Sequence, residues 1–371
     1  MIYLDNAATT RVCEDALSAA INAAKAYGNP SSTHFFGVES ARLLADARKT
    51  LARLCKCAED ELYFTSSGSE SNTTALLGLA DANSRRSRRI ISTDGEHPSV
   101  ENTLRLLEIR GFEVVRLPSR GGELDYAMLE KLLSDGAGVV AVMHVNNETG
   151  AVYDIARVRN LIDSSGCGAR LFCDNVQGFM KAACVTRFCD AMSASAHKLG
   201  GLKGSALLYI KKGVRVTPLI CGGSQERGFR PGTENLPGIC AFAAAASYAE
   251  KLDPAHVRGL YERLCSKLEA VDGVKLNIPA HASDYILSVT IPGPGSEVAL
   301  NALSAEGICV SAGSACSSRV KSNRVLEAYG LKGNALATTL RVSLSHDNTA
   351  EEIDDFAAAL EGVIKKYGVR R

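Results

Sequence analysis

The sequence predicts an α/β fold: a large domain with a mostly parallel, seven-stranded type of sheet, and a smaller C-terminal α/β domain. Three observations carry this. Short apolar runs alternate with helix-like stretches over residues 62–210. Several runs, such as 139–145, lack polar alternation, as strands covered on both faces do. At 371 residues the chain exceeds what one ordinary core holds, so two domains are expected.

The elements follow in order. A strand at 62–65 precedes a helix at 70–80, and a strand at 89–93 precedes a helix at 98–110. A strand at 112–117 leads to a helix at 125–133, and one at 139–145 to a helix at 155–163. Strands at 171–174, 190–193 and 205–210 complete the alternation, which reads as a parallel sheet. Near Leu236 the pattern changes. An Ala-rich helix spans 237–252, and Pro254 starts another that runs to about residue 271. Strands at 286–291, 309–310 and 339–344 follow. Asn348-Thr349 caps a last helix over 350–366. The large domain is placed at 15–250. Residues 1–14 and 251–371 form the small one. No repeat or low-complexity tract appears.

Composition narrows the function classes. Apolar content of 46%, charged content of 22% and a net charge of +1 describe an ordinary globular chain. They give no electrostatic reason to expect nucleic acid or an anionic membrane. The basic run Arg85-Arg86-Ser87-Arg88-Arg89 reads as a solvated loop. No apolar run approaches the roughly 18 residues of a membrane span. The N-terminus has no basic segment followed by a long apolar one, so a cytoplasmic location is expected. Twelve cysteines without paired C-x-x-C blocks suggest neither a disulfide scaffold nor a metal site. Most read as small buried apolar residues.

The chemistry gathers where strands end. Lys198 follows the strand-like run before Ser193, among small and polar residues, a setting that suits an amine forming a Schiff base. Asp174, with Gln177 behind it, closes an earlier strand. An Asp that keeps a pyridine nitrogen protonated and a Lys that takes an aldehyde are the pair pyridoxal phosphate needs. Residues Thr65 to Asn72 join a strand to a helix. They bring hydroxyls, Gly68, Ser69 and free backbone N–H groups to a helix N-terminus, a physical anion site. Read alone, that segment is an ordinary cap; beside Lys198 and Asp174 it reads as a phosphate site.

His97 precedes a Pro-initiated helix. It could lie over a flat ring or move a proton, or be a solvent histidine. Asn146-Asn147-Glu148 could orient a cofactor or substrate oxygen, or simply make the turn into Gly150. Arg341 is a charge inside a strand. It could fork onto a carboxylate or sit on a surface strand. Thr233 could add a phosphate hydroxyl or belong to a plain turn. Cys316, between Ala315 and Ser317, has tiny neighbours and therefore reads as an accessible thiol.

In this order the motifs resemble the class V aminotransferase-like branch of fold-type I pyridoxal-phosphate enzymes, most closely a NifS/IscS-type cysteine desulfurase. The resemblance starts at Tyr3-Leu4-Asp5-Asn6-Ala7-Ala8-Thr9-Thr10 and at Gly28-Asn29-Pro30-Ser31-Ser32 with His34. It continues through Glu96-His97, His144 to Gly150 and Ala196-His197-Lys198. It closes at Gly313-Ser314-Ala315-Cys316-Ser317. Ser67, Asn72, Asn175, Gly200 and Leu202 depart from the usual pattern.

The resemblance implies that Lys198 holds pyridoxal 5'-phosphate, that Asp174 pairs with the pyridinium, and that Gln177 touches the ring hydroxyl side. His97 would stack on the ring and act in proton transfer. Gly68, Ser69, Ser195 and His197 would hold the phosphate, with Thr233 reaching in from a second subunit of a homodimer. Asn147 and Arg341 would orient the substrate L-cysteine, and Cys316 would be the nucleophile. The products would be L-alanine and a persulfide passed to an acceptor protein, either an iron–sulfur scaffold or a tRNA-thiolation enzyme. The alternatives are a selenocysteine lyase or an aminotransferase on the same fold, or a non-catalytic sulfur-transfer scaffold.

Overall fold

A computed structural model describes residues 1–312 and 323–368. The chain opens with a short strand, β1 (Ile2–Tyr3), and two helices, α1 (Glu14–Lys25) and α2 (Phe35–Cys55). Alternation then begins with β2 (Leu62–Thr65), α3 (Gly68–Asn83), β3 (Arg89–Thr93), α4 (Pro98–Ile109), β4 (Glu113–Leu117) and α5 (Tyr126–Ser134). It continues through β5 (Val139–Ala141), α6 (Ile155–Ser165), β6 (Arg170–Asp174), β7 (Ala191–Ser195) and β8 (Ala206–Ile210). The helix α7 (Leu236–Ala249) follows.

These strands form one seven-stranded sheet in the order β2-β8-β7-β6-β5-β3-β4. Strands β3 to β7 run parallel to one another, whereas β8 is antiparallel to both β7 and β2. The apolar runs explain the burial. In β6, Leu171 and Cys173 belong to one core while Phe172 belongs to the core on the opposite face. The same split separates Ile91 from Ile90 in β3 and Leu207 from Leu208 in β8. Both faces are therefore covered, as a sheet with helices on either side requires. The helix α1 packs on α7, and α2 does so too.

Beyond α7 the chain builds a second core. Its elements are α8 (Pro254–Glu269), β9 (Lys275–Asn277), β10 (Ile286–Thr290), α9 (Ser296–Ala305), β11 (Ile308–Cys309), α10 (Arg324–Tyr329), α11 (Asn334–Thr338), β12 (Thr339–Ser343) and α12 (Ala350–Tyr367). An antiparallel sheet of order β12-β10-β9 supports it. Strand β1 pairs with β11 in parallel, Ile2 opposite Ile308, and Leu4 joins this core beside Val289 and Phe356. The reciprocal Thr349 and Glu352 cap starts α12.

Two features place the site. In the sheet order, β4 lies on one side of β3 and β5 on the other. The chain thus changes direction between β3 and β5, the crevice where open α/β sheets bind ligands. The run expected as a strand over 139–145 is hydrogen-bonded as a strand only to Ala141. Beyond it the backbone still runs along β6, with His144 N donating to Asp174 O, and then folds back as Val145 pairs with Val152. That fold-back brings Asn147 to the crevice.

Candidate active site

A cavity of about 530 Å³ opens at this crevice, within the size range of cofactor sites. The ends of β3, β6 and β7, the N-terminus of α3, the N-terminal segment and β12 all contribute to its lining. It gathers Gly68, Ser69, His97, Asn147, Asp174, Gln177, Ser195, His197, Lys198 and Arg341. Thr233 is exposed and does not line the cavity of its own chain. Cys316 lies outside the described residues.

Lys198 sits one turn past the end of β7. Its Nζ donates to the carbonyls of Ala7 at 2.7 Å and Ala8 at 2.8 Å. Burial, and after it Arg341, lowers its pKa, and Asp174 and Asp5 pull the other way, with the net result at about 8. The amine is therefore far more often neutral near physiological pH than an exposed lysine. Asp174 closes β6 and is 6% exposed. Its Oδ1 accepts from Val176 N at 3.0 Å and its Oδ2 from Asn72 Nδ2 at 2.7 Å. Gln177 Nε2 donates to Ala7 O at 2.8 Å.

One end of the cavity is built for an anion. Ser67 caps α3, its side chain accepting from Glu70 N. The backbone N–H groups of Gly68 and Ser69 lie in the first turn of the helix, and their residues line the cavity. A Cβ on Gly68 would fall 2.7 Å from Val176 Cγ2, so only glycine lets this backbone approach so closely. His197 is held neutral, its pKa lowered to about 4 by burial and then by Lys198. Its Nδ1 lies 3.2 Å from Thr9 Oγ1.

The lining also carries a guanidinium. Arg341, in the middle of β12, is buried rather than on a surface strand. Its Nη2 donates to Asp5 Oδ1 at 2.8 Å and its Nη1 to Asn147 O at 2.9 Å. Arg341 Nε and Asn147 Oδ1 are buried and have no hydrogen-bond partner among the described residues. Ser311 is paired to Arg341 through backbone hydrogen bonds in both directions.

Some partners went unread in the sequence. Asp5 appears there only as part of the N-terminal motif, and its role as the counter-charge of Arg341 depends on a contact across 336 positions. Glu96 appears in the sequence only beside His97 in a motif, and Ser99 carries no signal that separates it from an ordinary cap residue. Glu96 is 1% exposed. Its Oε1 accepts from Thr93 Oγ1 at 2.8 Å and Met143 N at 2.9 Å. Burial raises its pKa to about 8, so it is mainly a neutral acid at neutral pH.

The chain matches the aminotransferase class-V family over residues 2–356. It is 36% identical over 377 residues to "Cysteine desulfurase 2" of Trichormus variabilis, covering 99% of this chain and 94% of that protein. The chain belongs to the class-V aminotransferase family. Within that family it falls with the NifS/IscS-type cysteine desulfurases. A solved structure described as a NifS-like protein superposes with a TM-score of 0.92 at 33% identity, covering 98% of this chain and 99% of that one. Another, described as SspA in complex with cysteine, gives a TM-score of 0.80 at 27% identity over 93% of this chain and 99% of that one.

The architecture is that of fold-type I pyridoxal-phosphate enzymes of this family. The cavity's chemistry fits such a group. It has a helix N-terminus for a phosphate, a buried carboxylate for a ring nitrogen, and an amine with a lowered pKa for an aldehyde. Among the described residues no group of three or more His, Cys, Asp or Glu could hold a metal, and no helix is long and apolar enough to cross a membrane.

Proposed function

We propose that this chain is a cysteine desulfurase, converting L-cysteine to L-alanine and retaining the sulfur on Cys316 as a persulfide. The observation that carries the reading is the convergence of Lys198, Asp174, His97 and Arg341 on one cavity. Pyridoxal phosphate, when bound, supplies an aldehyde that captures amines and a protonated ring that draws electrons from the substrate Cα. Lys198 would hold it, Asp174 would keep the ring nitrogen protonated, and Gln177 would face the ring hydroxyl side. Gly68, Ser69, Ser195 and His197 would take its phosphate, joined by Thr233 of a second subunit in a homodimer.

Arg341 holds the substrate carboxylate. Its Nε, without a partner among the described residues, lies beside Nη2 and offers the two-pronged edge that carboxylates prefer. Asn147 fixes the same end. Lys198 Nζ, released once substrate has entered, takes the Cα proton; its lowered pKa suits a base working near neutrality. The Cys316 thiolate then attacks the substrate sulfur. An S–S bond forms, the C–S bond breaks, and its electron pair stays with carbon, which gains a proton as alanine forms.

Cys316 itself lies outside the described residues; Ser311, five positions before it in the chain, lines the cavity. The persulfide would be consumed by a sulfur-acceptor protein, an iron–sulfur scaffold or a thiolation enzyme.

The test is a Cys316→Ala variant assayed with cysteine and a reductant. It should keep the yellow colour of the purified protein and lose alanine release. Normal turnover would remove Cys316 from the mechanism. An aminotransferase on this fold would have no use for that thiol, and turnover with a keto acid in its place would favour that reading.

A further inference from the structure

His97 is joined to Asp174 by a chain of hydrogen bonds whose directions are forced. A carboxylate accepts only, so the Asn72 amide must turn its NH₂ toward Asp174 Oδ2, at 2.7 Å. The second hydrogen of that NH₂ goes to Ser99 Oγ at 2.9 Å. Ser99 Oγ then has its own proton to give, and His97 Nδ1 lies 2.8 Å away. The Ser99 backbone N–H, which can only donate, also reaches His97 Nδ1, at 3.1 Å. A proton on Nδ1 would face that N–H directly. Two donors therefore meet one lone pair, and the proton of neutral His97 lies on Nε2, the ring nitrogen turned away from its own helix.

We infer that Ser99 and Asn72 are positioning residues that fix His97 in its Nε2–H tautomer and tie it to Asp174, so that His97 meets the substrate as a hydrogen-bond donor. The inference deepens the desulfurase reading and rests on it for the word substrate, but not for the tautomer. It narrows the expectation that His97 acts in proton transfer, since neutral His97 is then no acceptor at either ring nitrogen. Protonation at Nδ1 would break both bonds from Ser99, and Nε2 already carries its hydrogen. Around the ring, burial opposes a positive charge most strongly. Asp174 and Glu148 favour that charge, and Lys198 and Arg324 oppose it.

The experiment is nitrogen NMR of the purified protein labelled with ¹⁵N-histidine, the His97 signals being assigned by their loss in His97→Gln. At neutral pH, Nε2 should give a proton-bearing signal and Nδ1 a bare one. Ser99→Ala removes one of the two donors to Nδ1. It should raise the pH at which His97 gains its second proton by about one unit, and Ser99→Thr should restore the wild-type titration. Asn72→Leu should move the titration the same way by less. A proton on Nδ1 in the wild type, or a titration unmoved by Ser99→Ala, would overturn the assignment; one unmoved by Asn72→Leu would overturn the link to Asp174. A protein that binds no pyridoxal phosphate would refute the proposed function and still give this spectrum, so the two failures are distinguishable.

Discussion

The two walls of the cavity differ in how complete they are. On the wall of Asp174 both carboxylate oxygens accept a hydrogen bond and His97 Nδ1 has two donors, leaving Asn72 Oδ1 as a buried atom without a partner among the described residues. On the wall of Arg341 both the guanidinium Nε and the neighbouring Asn147 Oδ1 are buried without partners among the described residues. Buried polar atoms without partners carry a cost of about 1–3 kcal/mol each, which a ligand would relieve. The contrast suggests a division of labour. In the proposed reading the Asp174 wall would hold a resident group in one orientation, and the Arg341 wall would take a carboxylate that comes and goes.

Breaking the side of Asp174 and Lys198 should have the largest effect. Lys198→Ala removes the amine and should abolish both the yellow colour of the purified protein and alanine release. A variant that kept the absorbance band would refute the role of Lys198. Breaking the other wall should spare the colour. Arg341→Lys keeps the charge but loses the planar fork. Losing one charge-assisted hydrogen bond costs about 1.5–3 kcal/mol, so kcat/KM for cysteine should fall roughly ten- to hundredfold, chiefly through KM. Steady-state kinetics would read this, and an unchanged KM would place the substrate carboxylate elsewhere.

A smaller effect sharpens the comparison through Glu96, the residue before His97. Its carboxyl is raised from 4.5 to about 8, mainly by burial. Across that window the unfolded chain has released this proton while the folded chain keeps it. The folded state binds more protons, so this group's contribution to stability falls as pH rises from about 4.5 to about 8, then levels off. Glu96→Gln cannot ionise. Its stability relative to wild type should climb through the same window, by on the order of a few kcal/mol at the upper end. Urea midpoints at several pH values would measure this, and parallel curves would show that Glu96 is not a buried neutral acid.

The legible part of the molecule follows from the same physics. Strands buried on both faces must be apolar throughout, so polar or charged residues at their ends stand out. That is why Asp174, His97 and Lys198 could be read from the sequence. The helices α1 and α2 were missed. The buried face of α1 is Ala16, Ala20 and Ala23, whose small side chains give a weak periodic signal. Arg341 could be read as a carboxylate fork or as a surface strand position until its burial and its pairing with Asp5 decided against the surface. The bond from Asn323 Nδ2 to Glu148 Oε2 at 2.6 Å spans 175 positions, and no local pattern announces it. Ser99 was hidden for another reason, since its hydroxyl acts on the tautomer of a neighbour, which composition cannot display.

The central claim is that sulfur leaves cysteine for one thiol among twelve. Mass spectrometry of the purified protein after incubation with L-cysteine, without reductant and followed by digestion, tests it most directly. The account predicts the added mass of one sulfur atom on the peptide carrying Cys316, reversed by a thiol reductant. Alanine formed with no sulfur gained at Cys316, or sulfur gained only on another cysteine, would contradict it.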